Sequence, residues 1–415
     1  MAGDLRRRLG DAVDGIAAID THTHLDVMSP AASSPWQVLS YHNYTTELVA
    51  AGMPANATEG KSADKERVIA LAGYFRLSET TTHAWMMRRL LSGLYGWDEP
   101  VSAHTAGALY ERMVAASQQA DWERRVLAKA GIVKSIATAD WRHPPCAYNQ
   151  GQYILMAQAA LVPDAGRSFI RDVERDAGVE VSDLRALGSA LAGMAAAWRA
   201  AGMRAVRLAV EDDPPFVMPE SCEAEAAFTR YLRGDATGGD LRTVRDFTLD
   251  AVCREAGRNG LVVQVYLGRG LAGRVPYPAL PVNLAPGLFR LIGGNPGTRF
   301  DVATVSGELL NQFTIMAKHM PNLHLSGCWW FVQFPSVMRR IYRFRAEVLP
   351  ASKWSAMFTD AYVVEWAYAK SLLIRKELAA ALAACVEDGY LQEDDAVAVA
   401  RNVLHDSPAT LYGIE

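Results

Sequence analysis

The sequence predicts an α/β protein, a (β/α)8 TIM barrel with a helical insertion after strand 1 and further helices at the C-terminus. Three observations lead there. Short apolar runs alternate with amphipathic stretches along most of the chain, which is the rhythm of parallel βαβ units. Eight such runs occur, and eight units suit a closed barrel better than an open sheet. The 415 residues suffice for one large barrel with an insertion, and no internal repeat or low-complexity linker divides them. A single unit over 1–415 is therefore expected, with 36–130 as a helical insertion within it.

The first strand is the apolar run Gly15-Ile16-Ala17-Ala18-Ile19, followed by Asp20-Thr21-His22-Thr23-His24. From about Trp36 to Ala130 apolar residues recur at steps of three and four, notably over 62–76, 81–95 and 106–120, so this stretch is read as helical. Strand-like runs then follow at 131–137, 153–161, 203–210, 261–267, 299–305, 322–329 and 354–359. Helical stretches at 183–201, 241–259, 307–320 and 335–348 lie between them. Residues 362–412 are helical and Ala-rich, and are expected to pack outside the barrel.

Composition narrows the function. Half the residues are hydrophobic and 21% are charged, which fits a folded core and not a disordered chain. The net charge is −4 with no basic run, so neither nucleic acid nor a membrane surface is expected as a partner. A small, anionic substrate is expected instead, and a homo-oligomer is compatible with the chain. Five cysteines are scattered without a Cys-X-X-Cys, which fits a reducing compartment and argues against a disulfide framework. The charged N-terminus lacks a following apolar region long enough for a signal or a span, so a cytoplasmic location is expected.

In such a barrel the C-terminal strand ends form the active site. His22 and His24 are two apart on the first strand and point the same way, so both imidazoles face one cavity. Neutral imidazoles suit Zn2+, the first choice here, with Mn2+ or Fe2+ as alternatives. Asp360 ends the last strand, which lies beside the first in a closed barrel. Two His and one carboxylate make a three-ligand site with positions left for water or substrate. The alternative for Asp360 is an N-cap for the helix starting near Val363.

Other strand ends add candidates. Arg204 and Arg207 are three apart, so only one faces inward. An inward Arg207 suits a bidentate grip on a carboxylate, and an outward one is an ordinary ion pair. Arg269, past the fifth strand, is a second candidate for anion binding. Trp329 and Trp330 read as a stacking wall or as core. His42 reads as a general acid/base or a solvated loop residue. Tyr266 reads as a hydrogen-bond donor or as packing, and His83 as a residue that caps or packs its helix. Asp140 ends the second strand.

The pair His22-Thr23-His24 with Asp360 resembles the amidohydrolase superfamily, and within it the uronate isomerases (the glucuronate isomerase family). Ser40-Tyr41-His42-Asn43-Tyr44 resembles that family's Asp-His-Tyr segment. Glu59-Gly60-Lys61-Ser62-Ala63-Asp64-Lys65-Glu66 resembles its Thr-Gly-Asp-Ala-Ser-Asp-Arg-Glu stretch, and Thr82-His83-Ala84-Trp85 its Tyr-His-Trp segment. Gln264-Val265-Tyr266-Leu267-Gly268 resembles its Gln-Leu-His-Ile-Gly strand. Trp329-Trp330-Phe331 and Met357-Phe358-Thr359-Asp360 resemble its last two strand ends. The matches span nearly the whole chain in the family's order. Departures accompany them. Tyr266 stands for the family's histidine, Val206-Arg207 for its Asp-His, Ala361-Tyr362 for its Ser-Arg, and Asn43 for its Tyr.

The resemblance implies a divergent member: a metal held by His22, His24 and Asp360, and metal-assisted aldose–ketose isomerisation of a sugar acid or related small polar acid. It also implies Asp360 as proton acceptor beside the metal, and Tyr266 as donor in place of the lost histidine. A metal-dependent hydrolase or lyase acting on a non-uronate substrate through a metal-bound water is the second reading. A barrel that binds without catalysing is the third.

Overall fold

The computed structural model describes residues 2–145, 148–159, 163, 168–210, 216–267, 284–304 and 306–414. The chain opens with α1 (Ala2–Asp14) and β1 (Ala18–Thr23). Helices α2 (Pro35–Leu39), α3 (His42–Ala50), α4 (Asp64–Ala72), α5 (Thr82–Tyr95), α6 (Ala106–Ser117) and α7 (Trp122–Ala130) then precede β2 (Ile132–Ala139). Next come β3 (Tyr153–Ala159), α8 (Ser168–Ala177), α9 (Leu184–Ala200), β4 (Ala205–Val210), α10 (Ser221–Arg233), α11 (Gly238–Arg258) and β5 (Val262–Leu267). After α12 (Leu284–Gly294), β6 (Arg299–Thr304), α13 (Gly307–Ala317) and β7 (Leu323–Leu325), the chain ends in α14 (Pro335–Val348), α15 (Val364–Glu387), α16 (Glu393–Arg401) and α17 (Ser407–Tyr412).

Seven parallel strands form one sheet in chain order, β1 to β7. Their register sets the site. Gln264 on β5 lies opposite Arg207 on β4 and Asp301 on β6, and Tyr266 lies opposite Ala209 and Ala303. Local signals end the helices as the sequence suggests. Thr81 accepts the Ala84 N–H to start α5, and Gly96 stops it at φ 61°, a conformation glycine adopts freely. The expected helix over 241–259 starts earlier, at Gly238, because Thr237 and Asp240 form a capping box.

The expected eighth strand is not a regular strand. Trp354 forms a single parallel bridge with Leu325. Beyond it, the Thr21 N–H donates to the Met357 carbonyl (3.1 Å), the Asp360 N–H to the His22 carbonyl (3.0 Å) and the His24 N–H to the Ala361 carbonyl (2.8 Å). The ladder breaks where the Asp20 carboxylate, not a main-chain oxygen, takes the Thr359 N–H at 2.9 Å. The segment thus bonds to both β7 and β1. The seventh strand is shorter than expected as well. Gly327 follows it so closely against 356–358 that a Cβ there would lie 2.5 Å from the Phe358 Cβ and 2.8 Å from the Ala356 carbonyl oxygen.

The C-terminal helices differ from expectation at their end. Helix α15 packs against α1, α5, α7 and α14. Helix α17 instead carries Leu411 and Tyr412 into a buried cluster with Ile136, Met156, Ala205 and Val262 from the strands. Burying those two side chains and their polar partners explains why the chain turns inward there. Among the described residues no helix is long and apolar enough to cross a membrane, and Cys222, Cys253, Cys328 and Cys385 are free thiols; Cys146 lies outside the described residues.

Candidate metal centre

His22 lies in β1 and His24 directly follows it, so alternation along the strand turns both rings to one side. Asp360 reaches them from the segment bonded to β1. One ligand atom from each of the three residues falls within 4.8 Å of the others. The Asp360 Oδ1 is 3.3 Å from His24 Nε2 and 3.6 Å from His22 Nε2, and the two Nε2 atoms are 3.3 Å apart. That Oδ1 is buried and has no hydrogen-bond partner among the described residues. Asp360 does not cap α15, whose N-cap is Val363 and carries no side-chain bond.

The electrostatics match a metal site. Burial, with His24 and Arg207 nearby, pushes the His22 pKa well below its ordinary value, so its ring is neutral. Burial works against the Asp360 charge, but the His24 ring, Lys370 and His22 outweigh it and hold the carboxyl at about 2. The donor set is therefore a neutral imidazole from His22, a carboxylate, and the second imidazole from His24. An otherwise unsatisfied carboxylate oxygen aimed at two ring nitrogens is what a bound divalent cation would satisfy.

Surrounding groups hold these ligands. The His22 Nδ1 donates to the Gln264 Oε1 at 2.5 Å, and its ring stacks on Phe358 with centroids 5.1 Å apart. The His24 Nδ1 lies 3.3 Å from the Thr138 hydroxyl, and its ring stacks on Tyr362 at 4.8 Å. Asp360 has a positive φ of 50°. The Lys370 ammonium, fully buried, donates to the carbonyls of Thr359 (2.6 Å) and Asp360 (3.3 Å) and fixes that turn. Among these supports, Thr138 and Gln264 sit at the strand ends where the sequence places candidates, though not as supports for the histidines; Lys370 carries no such signal.

The remaining candidates divide. Tyr266 is buried beside His22, 4.6 Å between ring centroids, and stacks on Trp329 at 4.4 Å. Among the described residues its hydroxyl has no hydrogen-bond partner, and burial and the Asp360 charge hold its pKa well above 10, so it is not a base at neutral pH. Arg207 is the inward arginine of its pair. It is buried, with its guanidinium 4.3 Å from the Tyr266 ring centroid and Nη1 3.3 Å from the Gln158 Oε1, while Arg204 is exposed. Trp329 is 5% exposed and so packs more than it lines a surface. Trp330 continues the same 3-10 turn, and its side chain lies outside the described residues, as does Arg269.

His42 begins α3 at the mouth of the site, where the Tyr362 ring lies between it (5.5 Å) and His24. Partial shielding of its ring and the charge of Lys370 hold its pKa below the ordinary value. His83 is buried and pairs with Glu47, joining α5 to α3 in a packing role. Asp140 is exposed, pairs with His143 at 3.1 Å and is not part of the His22, His24 and Asp360 cluster.

Comparison with known proteins agrees with the architecture. No family model matches the chain. A uronate isomerase from Phenylobacterium zucineum is 22% identical over 452 aligned positions, covering 99% of this chain and 94% of the relative. One from Nostoc punctiforme is 22% identical, covering 99% and 96%. The crystal structure of glucuronate isomerase from Caulobacter crescentus superposes with a TM-score of 0.86 at 18% identity, covering 100% of this chain and 95% of that one. That of uronate isomerase from Thermotoga maritima gives 0.85 at 17%, covering 99% and 97%. A Lactobacillus casei protein provisionally described as a metal-dependent hydrolase gives 0.61 at 12%, covering 98% and 97%. Along its whole length, then, the chain is similar to the uronate isomerases at low identity and shares the fold of their solved structures.

Proposed function

We propose that this chain is a metal-dependent isomerase that interconverts the aldose and ketose forms of a sugar acid or a closely related small acid. The observation that carries the reading is the cluster of His22, His24 and Asp360, with its unsatisfied buried oxygen, in a fold similar over its full length to uronate isomerases. The seven strands and the 354–361 segment read together as a (β/α)8 barrel, one unit over 1–415 with 36–130 inserted in it. His22, His24 and Asp360 are its metal ligands, and Zn2+ fits the donor set, with Mn2+ or Fe2+ next.

A divalent ion held there supplies the polarisation of a carbonyl or hydroxyl. The chain's own groups do the rest. His42, at the mouth and held below its ordinary pKa, accepts and returns the proton that moves between neighbouring carbons. Asp360, as a carboxylate, accepts a hydroxyl proton beside it. Arg207 and Arg269 are the cations for the substrate's carboxylate, and Trp330 is the candidate stacking residue, with the buried Tyr266 ring packed against His22 and Trp329. Tyr266 in place of a histidine favours one second reading: a hydrolase or lyase of the same superfamily, with Asp360 as the proton acceptor for an attacking water.

Metal analysis of the purified protein, followed by NMR of mixtures with glucuronate and galacturonate, tests both. Near-stoichiometric metal and a ketose product are expected. Metal without turnover of either acid leaves the second reading. Absence of metal, unaffected by His22→Ala, sinks both.

A further inference from the structure

Beneath the metal ligands lies a buried chain of polar side chains that ends in the last helix. The Gln264 amide nitrogen donates to the Thr21 carbonyl (3.0 Å) and to the Tyr412 hydroxyl (2.8 Å), and lies 3.4 Å from the Asp301 Oδ2. The Tyr412 hydroxyl donates to the same Asp301 oxygen at 2.5 Å. Asp301 also accepts from Ser326 (2.8 Å) and pairs with His324 (3.2 Å), whose other nitrogen meets the Ser407 hydroxyl of α17 at 2.9 Å. Gln264, Asp301 and Tyr412 are all buried.

The donor and acceptor roles allow one assignment. A peptide carbonyl only accepts, so the end of the Gln264 amide that faces Thr21 is the NH2. A carboxylate also only accepts, so Tyr412 gives its one proton to Asp301 and keeps a lone pair for Gln264. Both constraints turn the Gln264 oxygen toward His22. The ring nitrogen that faces this oxygen, Nδ1, must then carry the proton. That leaves a lone pair on Nε2, the atom that points at His24 and Asp360.

We propose that Gln264 is the positioning residue that fixes the metal-binding tautomer of His22, and that Tyr412 holds Gln264 in that orientation from the C-terminal helix. The inference rests on the metal reading above. It adds that the last helix of the chain sets the chemistry of a ligand on the first strand. An imidazole in the other tautomer presents N–H where the ion must sit, and partners that orient ligating histidines typically govern metal affinity by 10–100-fold.

The test uses the full chain as wild type, Gln264→Leu and Tyr412→Phe. Metal affinity is measured by competition with a chromophoric chelator, with Zn2+ as the probe. The His22 tautomer is read in metal-free protein from imidazole 15N shifts, assigned with His22→Ala. Wild type is expected to bind one Zn2+ and to show His22 protonated at Nδ1 alone. Gln264→Leu is expected to lose about 10–100-fold in affinity and to show a mixture of tautomers. Tyr412→Phe, the milder change that keeps the packing, is expected to lose affinity at the low end of that range, about 10-fold, with a partial shift of tautomer. Wild-type affinity and an unchanged His22 spectrum in Tyr412→Phe overturn the role of Tyr412. The same result in Gln264→Leu, or His22 protonated at Nε2 in wild type, overturns the whole inference. Failure of wild type to bind metal counts instead against the metal reading.

Discussion

Asp360 sits in the left-handed region of backbone space, where a non-glycine residue costs about 1–3 kcal/mol unless its surroundings hold it. Lys370 does the holding through two carbonyls, and it is itself fully buried. Lys370→Met should therefore cost about 1.5–3 kcal/mol in urea unfolding and weaken metal binding as the turn relaxes. Asp360→Ala should abolish tight binding, with a loss greater than about 100-fold by chelator competition, because a ligand matters more than its supports. Tyr266 gives the sharpest contrast. Its hydroxyl has no partner among the described residues, so Tyr266→Phe should leave thermal stability unchanged or raise it, relieving a buried polar group worth about 1–3 kcal/mol. If that hydroxyl meets the substrate, kcat falls in the same variant, and an unchanged kcat assigns the ring to packing alone. At this scale the three clustered residues were legible because the spacing of the two histidines and the strand-end place of Asp360 bring them together. The supports were not, because Gln264, Thr138 and Lys370 become meaningful only through partners far away in sequence.

Between elements, one close contact beside the site leaves no space for a side chain. Gly327 lies against 356–358, and Phe358 from that segment stacks on His22. Gly327→Ala should cost at least about 1–3 kcal/mol from overpacking and lower metal affinity by displacing Phe358, measurable by thermal melts and metal titration on one sample. A control substitution at the solvent-facing Gly188, where a Cβ meets nothing within 4 Å, should leave metal affinity unchanged. The strand pattern of the sequence was readable wherever main chain pairs with main chain, although β1 spans Ala18–Thr23 and so starts and ends later than the apolar run 15–19, and β7 is shorter than expected. It failed at the eighth position because the Asp20 side chain does the work of a backbone acceptor there. It also failed for α17, whose inward turn depends on a hydroxyl finding Gln264 and Asp301, a match that no hydrophobic period encodes.

For the molecule as a whole, an ion that binds only the folded chain adds stability by mass action, about 2.7 kcal/mol at a free concentration one hundred times its dissociation constant. Removing metal with a chelator should lower the melting temperature by a few degrees, and His22→Ala should abolish that difference while still folding. A melting temperature indifferent to metal in the wild type would count against a resident ion. The fold class was readable from the sequence because the alternation of apolar runs reports the global architecture directly. The finer chemistry was not, since the residues that differ from the resembling family, Tyr266 and Arg207 among them, take their meaning from each other: one ring stacked under one guanidinium.

The segment from Trp354 to Ala361 joins the two ends of the sheet, and the ligands sit on either side of that join. On the proposed reading the three ligands come from stretches far apart in the sequence, so a chain in which 354–361 has not yet joined β1 would lack the carboxylate. Metal uptake would then report that closure, and an ion held by His22, His24 and Asp360 would pin the strand that opens the sheet to the segment that completes it.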